Sequence, residues 1–221
     1  QNSENELALE AYSAAYLASD PEQNIALAIK LGGAYEKLGQ SNPAASIYRD
    51  AYARTEDIYL KSQLDLLLGR VSIAQGAVEE GFGYYQDAVN NYPETYDAFS
   101  AVLALLEAEQ TVDDLQRGLI NYFRGQYDLA NEAFSRYLEG VGLEKDKALY
   151  YQALAVRAKG LELAALNSEE RFALNQSSGT SQDQTAIAIW KQLVSDYPKS
   201  SYLSHAIEDI VYTQYLYMNR T

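Results

Sequence analysis

The sequence predicts an all-α fold, a superhelix of about ten to eleven helices built from repeated helix hairpins. One pattern of small and aromatic residues occurs twice between residues 25 and 93, and no stretch alternates for long in the way that a β-strand does. The four prolines fall near predicted helix starts or just after helix ends, where a missing amide hydrogen costs little. We therefore expect helices throughout the chain and no sheet.

The repeated pattern gives the clearest evidence for the hairpins. Small residues at fixed positions let two helices approach closely, and the aromatic residues fill the space beside them. A third copy, which contains Gly118 and Gly125, lies 49 residues beyond the second. This longer spacing leaves room for one more helix, which we predict near 95–109. The positions that recur 37 residues apart are Gly32 and Gly69, Gly39 and Gly76, Tyr48 and Tyr85, and Ala51 and Ala88.

The individual helices follow from apolar residues at helical spacing and from turn residues at their ends. Pro21, with an acidic residue on either side, opens the second helix, and Gly39 ends it. Thr111 and the acidic residues after it provide a start for the first helix of the third copy. The predicted helices are, in order, 6–18, 21–38, 41–55, 56–75, one between Gly76 and Pro93, 96–109, 114–124, 128–139, 148–160, 186–196 and 202–217.

We expect a single elongated domain, 1–221, because a repeat array buries its apolar residues between neighbouring helices and not at one centre. Two irregularities interrupt it, the extra helix near 95–109 and a polar insertion loop at 167–185. The loop is predicted because this segment lacks periodic apolar residues, and it is either functional or a tolerated insertion. The last helix has an apolar, tyrosine-rich face, so we expect more chain or a partner after Thr221.

Composition excludes several classes of function. The 31 acidic and 17 basic residues give a formal charge of −14, which repels nucleic acid and anionic lipid head groups. No apolar stretch approaches the roughly 20 residues of a membrane span, so we expect neither nucleic-acid binding nor direct membrane insertion. The absence of cysteine excludes disulfides, thiolate metal sites and a cysteine nucleophile. The 20 tyrosines have two interpretations, half-exposed packing or a groove for sugar or peptide.

The sequence contains no set of residues that predicts catalysis. His205 is the only histidine, and no Gly-x-Ser-x-Gly turn offers a serine nucleophile. Adjacent carboxylates such as Glu79 and Glu80 point about 100° apart on a helix and do not converge on a substrate. Phosphate-binding glycine loops and metal-ligand spacings are missing as well. We therefore expect no enzyme activity, no cofactor and no metal in these residues.

The concave side of the array is the predicted binding surface, because the first helices of such hairpins line it. Counting back from the glycine near the end of each first helix places a mixed aromatic and basic strip on that side. Arginine supplies planar paired donors for a carboxylate, and tyrosine supplies a stacking surface. In the alternative interpretation, the candidates of the third copy, which are Leu119, Tyr122 and Phe123, merely pack against the extra helix near 95–109. The candidate residues are Glu36, Lys37, Gln63, Arg70, Leu119, Tyr122, Phe123, Tyr150 and Arg157.

The whole chain resembles a tetratricopeptide repeat protein in its glycine, tyrosine and alanine spacings. A narrower part, roughly 90–202, resembles the superhelical region that precedes the catalytic domain in bacterial soluble lytic transglycosylases. In that family a glutamate of a Glu-Ser-x-Phe motif cleaves the glycan strand, and no Glu-Ser pair occurs in this sequence. The resemblance therefore implies a helical scaffold beside peptidoglycan and no catalytic residue here. The segments that carry it are 92–98, 112–119, 125–134, 148–151, 190–193 and 197–202.

Three interpretations of function follow. The first is a non-catalytic binding or scaffold module of the bacterial cell envelope that engages a protein or peptidoglycan partner through its concave face. The second is a regulatory or substrate-positioning arm of a larger lytic transglycosylase whose catalytic domain lies outside this sequence. In the third, the array self-associates through its tyrosine-rich C-terminal helix. An extracytoplasmic location fits the first two, and a first residue that is Gln1 and not Met agrees with a processed secreted protein or an excised fragment.

Overall fold

Helices form most of the described part of the chain. The computed structural model describes residues 2–20, 24–165 and 179–215, and these contain eleven α-helices and no β-strand. The predicted all-α repeat fold of about ten to eleven helices is therefore confirmed. The helices are α1 (Asn2–Ala18), α2 (Ile25–Lys37), α3 (Ser41–Arg54), α4 (Ile58–Ala74), α5 (Val78–Asn91), α6 (Tyr96–Glu107), α7 (Asp114–Phe123), α8 (Tyr127–Glu139), α9 (Lys145–Ala165), α10 (Gly179–Asp196) and α11 (Leu203–Thr213).

The chain forms two compact units, which we call the N-terminal unit (Gln1–Val112) and the C-terminal unit (Asp113–Thr221). In the N-terminal unit each of the helices α1 to α6 packs against the next, and α4 also contacts α2 and α6. In the C-terminal unit the helices α7 to α11 pack consecutively in the same way, and α9 also contacts α7. Such packing between successive and alternate helices is typical of a hairpin repeat. The expectation of one domain, 1–221, stays a prediction.

In each of three hairpins the two helices meet where a glycine contacts an aromatic ring that lies 16 residues later in the sequence. A Cβ atom at Gly118 would lie 2.5 Å from Cε1 of Phe134, which is closer than real side chains approach. Because the ring occupies the space of the missing side chain, glycine is required at this point of each hairpin. All three rings are buried. The pairs are Gly32 and Tyr48, Gly69 and Tyr85, and Gly118 and Phe134.

A second glycine ends the first helix of each of these hairpins in the left-handed conformation. Gly39, Gly76 and Gly125 have φ angles of 72°, 82° and 72°. The amide after each of them donates to the carbonyl five residues earlier, at 2.8 to 2.9 Å, which satisfies an otherwise free helix-end acceptor. Helix α6, in the place of the extra helix predicted at 95–109, ends with the same turn, but the left-handed residue there is Glu109, with φ 57°. Helix α6 therefore ends as the first helix of a hairpin does.

Helix α2 begins later than predicted, whereas helix α7 begins at the predicted Asp114 but with a different cap. Helix α2 begins at Ile25, because the residue before it has non-helical angles (φ −121°, ψ 43°), and the predicted start at Pro21 lies outside the described residues. Helix α7 is capped by Asp113 and not by Thr111. The carboxylate of Asp113 accepts a hydrogen bond from the amide of Leu115 at 2.8 Å, which satisfies a free donor of the first turn.

Helix α9 does not end at the predicted residue, Gly160. It continues to Ala165, because Gly160 is buried within the helix and lacks the left-handed conformation that ends the earlier first helices. Helix α11 begins at Leu203, one residue after its predicted start, and its predicted end at 217 lies outside the described residues.

Helix α10 corrects the prediction of a loop at 167–185. It begins at Gly179, so residues 179–185 are helical, while 166–178 lie outside the described residues. The apolar part of α10, with Trp190 at its centre, packs on α9. Once this part forms, the helix extends backward through polar residues at little cost, because propagation adds one hydrogen bond for each residue fixed. Composition alone therefore does not predict this extension.

Candidate binding surfaces

Two candidates of the N-terminal unit, Glu36 on α2 and Arg70 on α4, form an ion pair with each other. Arg70 donates from Nε to Glu36 Oε2 at 2.9 Å and from Nη2 to Oε1 at 3.0 Å. Tyr48 of α3 donates its hydroxyl to the same Oε1 at 2.5 Å. Burial, and then the Glu36 carboxylate, raise the pKa of Tyr48, so its hydroxyl stays a donor. The planar donors that were predicted to hold a partner's carboxylate are therefore engaged within the chain.

Lys37 and Gln63 have different surroundings. Lys37 is exposed and lines a cleft between α1 and α2, together with Tyr12 and Lys30. Gln63 is half-buried on α4. Of the four candidates of this unit, Glu36 and Arg70 therefore form an internal ion pair, while Lys37 lines a neighbouring cleft. Gln63 is half-buried.

The aromatic candidates of the C-terminal unit lie together with three residues that counting back from the helix-end glycines does not select. Tyr122 and Phe123, at the end of α7, pack edge-on against Tyr151 of α9, with ring centroids 5.5 and 6.0 Å apart. Tyr150 stacks on Tyr202, which precedes α11, with centroids 5.0 Å apart and an interplanar angle of 23°. We call this set the aromatic strip, and its members are Tyr122, Phe123, Tyr150, Tyr151, Tyr202 and His205.

Solvent reaches part of the aromatic strip. Phe123 keeps 38% of its surface exposed, His205 is exposed and the four tyrosines are half-buried. Burial raises the pKa of Tyr122, Tyr150 and Tyr202, so their hydroxyls stay neutral over the physiological range. Neutral tyrosines offer an apolar face for stacking and a hydroxyl for hydrogen bonding.

Arg157 supports the aromatic strip through Asp209. Its Nη1 donates to Asp209 Oδ1 at 3.1 Å and to Thr213 Oγ1 at 3.4 Å. Tyr150 donates to the other oxygen of Asp209 at 3.1 Å. The guanidinium also lies 5.4 Å from the ring of Trp190, which is fully buried, as predicted for a core aromatic. The Arg157 side chain is only 19% exposed and is bonded to Asp209. It therefore fixes the carboxylate that accepts from Tyr150 and thereby orients the tyrosine.

Leu119 is wrong as a partner-binding candidate. It is 1% exposed and lies in the core of the C-terminal unit with Leu115 of α7 and with Ala130 and Phe134 of α8. The count back from Gly125 therefore reaches the side of α7 that faces its own hairpin partner. A residue buried in this way stabilises the unit and has no surface for a ligand.

Tyr151, Tyr202 and His205 complete the aromatic strip, although counting back from the helix-end glycines does not select them. That count considers chosen positions on first helices only, whereas Tyr202 lies in the turn before α11 and His205 lies on α11. Tyr151 lies on the first helix α9 but is not one of the counted positions. The signal in the sequence that points toward them is the excess of tyrosine, 20 residues against 5 phenylalanines.

Helix α11 carries the surface for which self-association is predicted. Ile207, Val211 and Tyr212 are 45%, 60% and 50% exposed, and Tyr215 just after the helix is 72% exposed. This apolar face is open to solvent in the described part of the C-terminal unit. Self-association through it stays a prediction.

The part of the chain that the structure describes contains neither a metal-ligand cluster nor a membrane-spanning helix. Within 2–20, 24–165 and 179–215, no three His, Cys, Asp or Glu side chains are grouped so that they could hold a metal ion. Within the same ranges, no helix combines the length and the apolar character needed to cross a bilayer. Rings, hydroxyls and ion pairs are therefore the chemistry that the surfaces above provide.

Comparison with known proteins identifies a repeat type for one part of the chain. The tetratricopeptide repeat family model matches residues 147–200, which include most of α9 and all of α10. A crystal structure of a TPR repeats protein from Bacteroides fragilis NCTC 9343 aligns with 93% of this chain and 90% of that chain, at 14% sequence identity and a TM-score of 0.38. No curated protein matches the sequence. Residues 147–200 are thus similar to a tetratricopeptide repeat, a type that typically mediates contacts between proteins, and this indicates a protein-binding scaffold.

Proposed function

We propose that this chain is a protein-binding scaffold of the bacterial cell envelope, and that it holds an extended segment of its partner on the aromatic strip. The continuity of the strip carries the proposal. Neighbouring ring centroids from Phe123 through Tyr151 and Tyr150 to Tyr202 lie 5.0 to 6.0 Å apart. The tetratricopeptide match at 147–200 includes the two central tyrosines and supports a protein as the partner.

The chemistry of the strip favours a partner segment with proline or aromatic side chains. Tyrosine rings supply large, rigid contact areas at a small loss of conformational freedom. Grooves lined by aromatic residues take extended proline-rich segments, which are already ordered before they bind. Capture of a carboxylate would instead require Arg70 and Arg157, and these are bound to Glu36 and Asp209. We therefore propose recognition by stacking.

A peptide-display selection tests this proposal. Random peptides on phage are selected against the chain and then measured against the double variant Phe123→Ala, Tyr202→Ala. Each ring pair is worth about 0.5–1.5 kcal/mol beyond its buried area, so the double variant should bind the selected peptides roughly ten- to a hundredfold more weakly. Circular dichroism shows whether its helices remain.

The matched control is Tyr59→Ala, which removes a 61% exposed tyrosine from α4 in the N-terminal unit. This variant should bind the selected peptides as the unchanged chain does. Equal binding by the double variant and the unchanged chain would remove the aromatic strip from consideration.

The envelope location rests on the likeness of residues 90–202 to the region that precedes the transglycosylase domain. It can be tested with the full-length protein in its own organism. Protease added to spheroplasts should digest the protein, whereas a cytoplasmic marker should survive. Survival of the protein together with that marker would contradict the location.

A second candidate function is the arm of a larger lytic transglycosylase. The stacked pair of Tyr150 and Tyr202 favours it, because an aromatic face can also pack against a sugar ring. The chain should then sediment with purified peptidoglycan, the double variant should not, and a lysozyme-like segment with a Glu-Ser pair should follow Thr221 in the gene. A stop codon directly after Thr221 together with no sedimentation would reject this function.

A further inference from the structure

A cleft of about 400 Å³ opens between the second helices α3 and α5 of the N-terminal unit, with α4 below it. It shares no residue with the aromatic strip. Two tyrosine rings and three carboxyl groups border it, so one opening combines apolar faces with acidic groups. The lining residues are Tyr52, Asp65, Glu80, Gly83, Tyr84 and Asp87.

Asp65 lines the cleft with a carboxyl group that receives no hydrogen bond at one oxygen. The residue is 1% exposed, and no donor in the described part of the chain reaches its Oδ2. Its neighbour Asp87 is a second carboxyl, which already accepts hydrogen bonds from Tyr52 at 3.2 Å and from Asn91 at 2.8 Å. A buried carboxylate without a donor is costly, so this position favours a proton or a cationic donor beside it.

In the chain without a ligand, a proton on the Asp65 carboxyl removes the unfavourable buried charge. Burial, and then the Asp87 carboxyl, raise the pKa of Asp65 to about 8. At neutral pH the Asp65 carboxyl therefore holds a proton. Lys61, one turn earlier on α4, lowers the pKa of Asp65, but by less than burial and the Asp87 carboxyl raise it. Its Nζ lies 2.7 Å from Glu56 and 5.6 Å from the centroid of the Tyr52 ring.

The remaining charged and titratable groups at the cleft are paired with one another. Arg49 of α3 donates to Glu80 at 3.1 Å and to Tyr84 at 3.4 Å, so it balances the third carboxyl. The hydroxyls of Tyr52 and Tyr92 lie 3.1 Å apart. Lys61 compensates the Asp65 and Asp87 pair only in part, so this pair is the acidic centre of the cleft. Residues 1–112 carry 17 acidic and 6 basic residues, and such a field attracts cations.

We propose that this cleft binds the alkylammonium group of a partner's lysine side chain. The three N–H donors of an ammonium match the two carboxyls and the Tyr52 hydroxyl oxygen, and the methylene stem lies along the rings of Tyr52 and Tyr84. Lysine suits the site better than arginine does, because the acceptors come from separate residues around one point and not from a single planar carboxylate. The binding does not depend on what occupies the aromatic strip.

Occupation of the cleft releases the proton of Asp65. An ammonium beside Asp65 favours the ionised carboxyl, so binding the cation and binding the proton oppose each other. The affinity should therefore increase from about pH 6 to about pH 9, a range in which an alkylamine with a pKa of about 10.4 stays charged. Asp65→Asn should remove this dependence on pH.

Titration of the ¹⁵N-labelled chain with n-butylammonium, followed by NMR, tests the proposal. The amides of Asp65, Gly83 and Asp87 should shift, and n-butanol at the same concentrations should leave them unchanged. A tripeptide with a central lysine serves as the second probe. Tighter binding of the tripeptide identifies a lysine of a polypeptide as the ligand, and tighter binding of butylammonium overturns that part of the proposal.

Variants of single carboxyls complete the experiment. Asp65→Asn and, separately, Asp87→Asn should each weaken n-butylammonium at least tenfold at about pH 8, a loss of about 1.4 kcal/mol. Glu79→Gln, which removes an exposed carboxylate from the same helix as Asp87, should change the affinity less than twofold. Equal shifts with n-butanol, or full affinity in both asparagine variants, would overturn the site.

Discussion

At the residue scale, a missing side chain decides how closely the two helices of a hairpin approach. Gly118 leaves its space to the ring of Phe134, and the same contact recurs in the two earlier hairpins. The sequence predicts these positions well, because both members of each contact recur at one spacing. It does not predict which charged groups bind each other. Arg70 and Arg157 belong to the predicted strip, yet their partners Glu36 and Asp209 lie 34 and 52 residues away.

We predict that Gly118→Ala destabilises the C-terminal unit. The new Cβ would meet the ring of Phe134 at 2.5 Å inside a packed core, and such overpacking typically costs about 1–3 kcal/mol. Trp190 is the single tryptophan and lies in this unit, so its fluorescence during urea unfolding measures the change. Gly83→Ala is the control, because a Cβ there meets nothing within 4 Å on α5 and should stabilise by about 0.5–1 kcal/mol. Since Gly83 lies in the N-terminal unit, its effect is measured by far-UV circular dichroism during urea unfolding. A loss of stability in both variants would show that the ring contact is not the cause.

We predict that Glu109→Gly stabilises the N-terminal unit. Glu109 has φ 57°, a conformation that costs an L residue roughly 1–2 kcal/mol and glycine almost nothing. After the greater freedom of glycine in the unfolded chain is subtracted, a gain of about 0.5–1 kcal/mol should remain in urea unfolding followed by far-UV circular dichroism. Glu107→Gly, inside the last turn of α6, should instead lose about 1 kcal/mol. The opposite order of the two variants would contradict the left-handed turn.

At the element scale, the centres of the helices follow from the sequence and their ends do not. Apolar spacing predicts where a helix packs, since each buried face must meet another helix. The ends depend on single hydrogen bonds, such as the one that Asp113 accepts from Leu115. They also depend on neighbouring helices, as α10 shows by continuing into the segment 179–185, whose polar composition predicts a loop. The aromatic strip could be predicted only in part for the same reason, because Tyr202 lies at a helix end.

We predict that Asp113→Ala destabilises the C-terminal unit by about 1 kcal/mol, because it removes the side chain that caps α7. Fluorescence of Trp190 during urea unfolding is again the measurement. Thr111→Ala, at the residue from which the sequence predicts the cap, should change the midpoint by less than experimental scatter, since Thr111 is exposed and outside the helix. A larger loss from the threonine variant would identify Thr111 as the cap of α7.

At the scale of the whole molecule, the acidic charge is divided unevenly. Residues 1–112 hold 17 acidic and 6 basic residues, and residues 113–221 hold 14 and 11. The total of −14 explains why nucleic acid is not an expected partner, but the total does not show this division. Nor does composition reveal that one of these carboxyls, Asp65, is buried, because burial depends on which face of α4 meets α3 and α5.

We predict that stability falls as the pH rises from about 5 to about 8. The folded state raises the pKa of Asp65 to about 8 by burial and by the nearby Asp87, whereas an unfolded aspartate has a pKa of about 3.9. Between these values the folded chain binds more protons than the unfolded chain, so a rise in pH favours unfolding. Urea midpoints from far-UV circular dichroism should therefore decrease over this range. In Asp65→Asn they should stay nearly level, and an equal decrease in this variant would assign the effect to other groups.

The pairing of each glycine with a ring 16 residues later also bears on how such a chain can grow. Both residues of the contact are encoded within a single repeat. A duplication of 37 codons therefore adds a hairpin that already contains the contact between its two helices. The added copy needs no compensating change elsewhere to bring its two helices together, and it only has to match the helix faces of its neighbours. Lengthening by duplication is thus compatible with folding at every step, whereas a substitution at either member of one pair affects that hairpin alone.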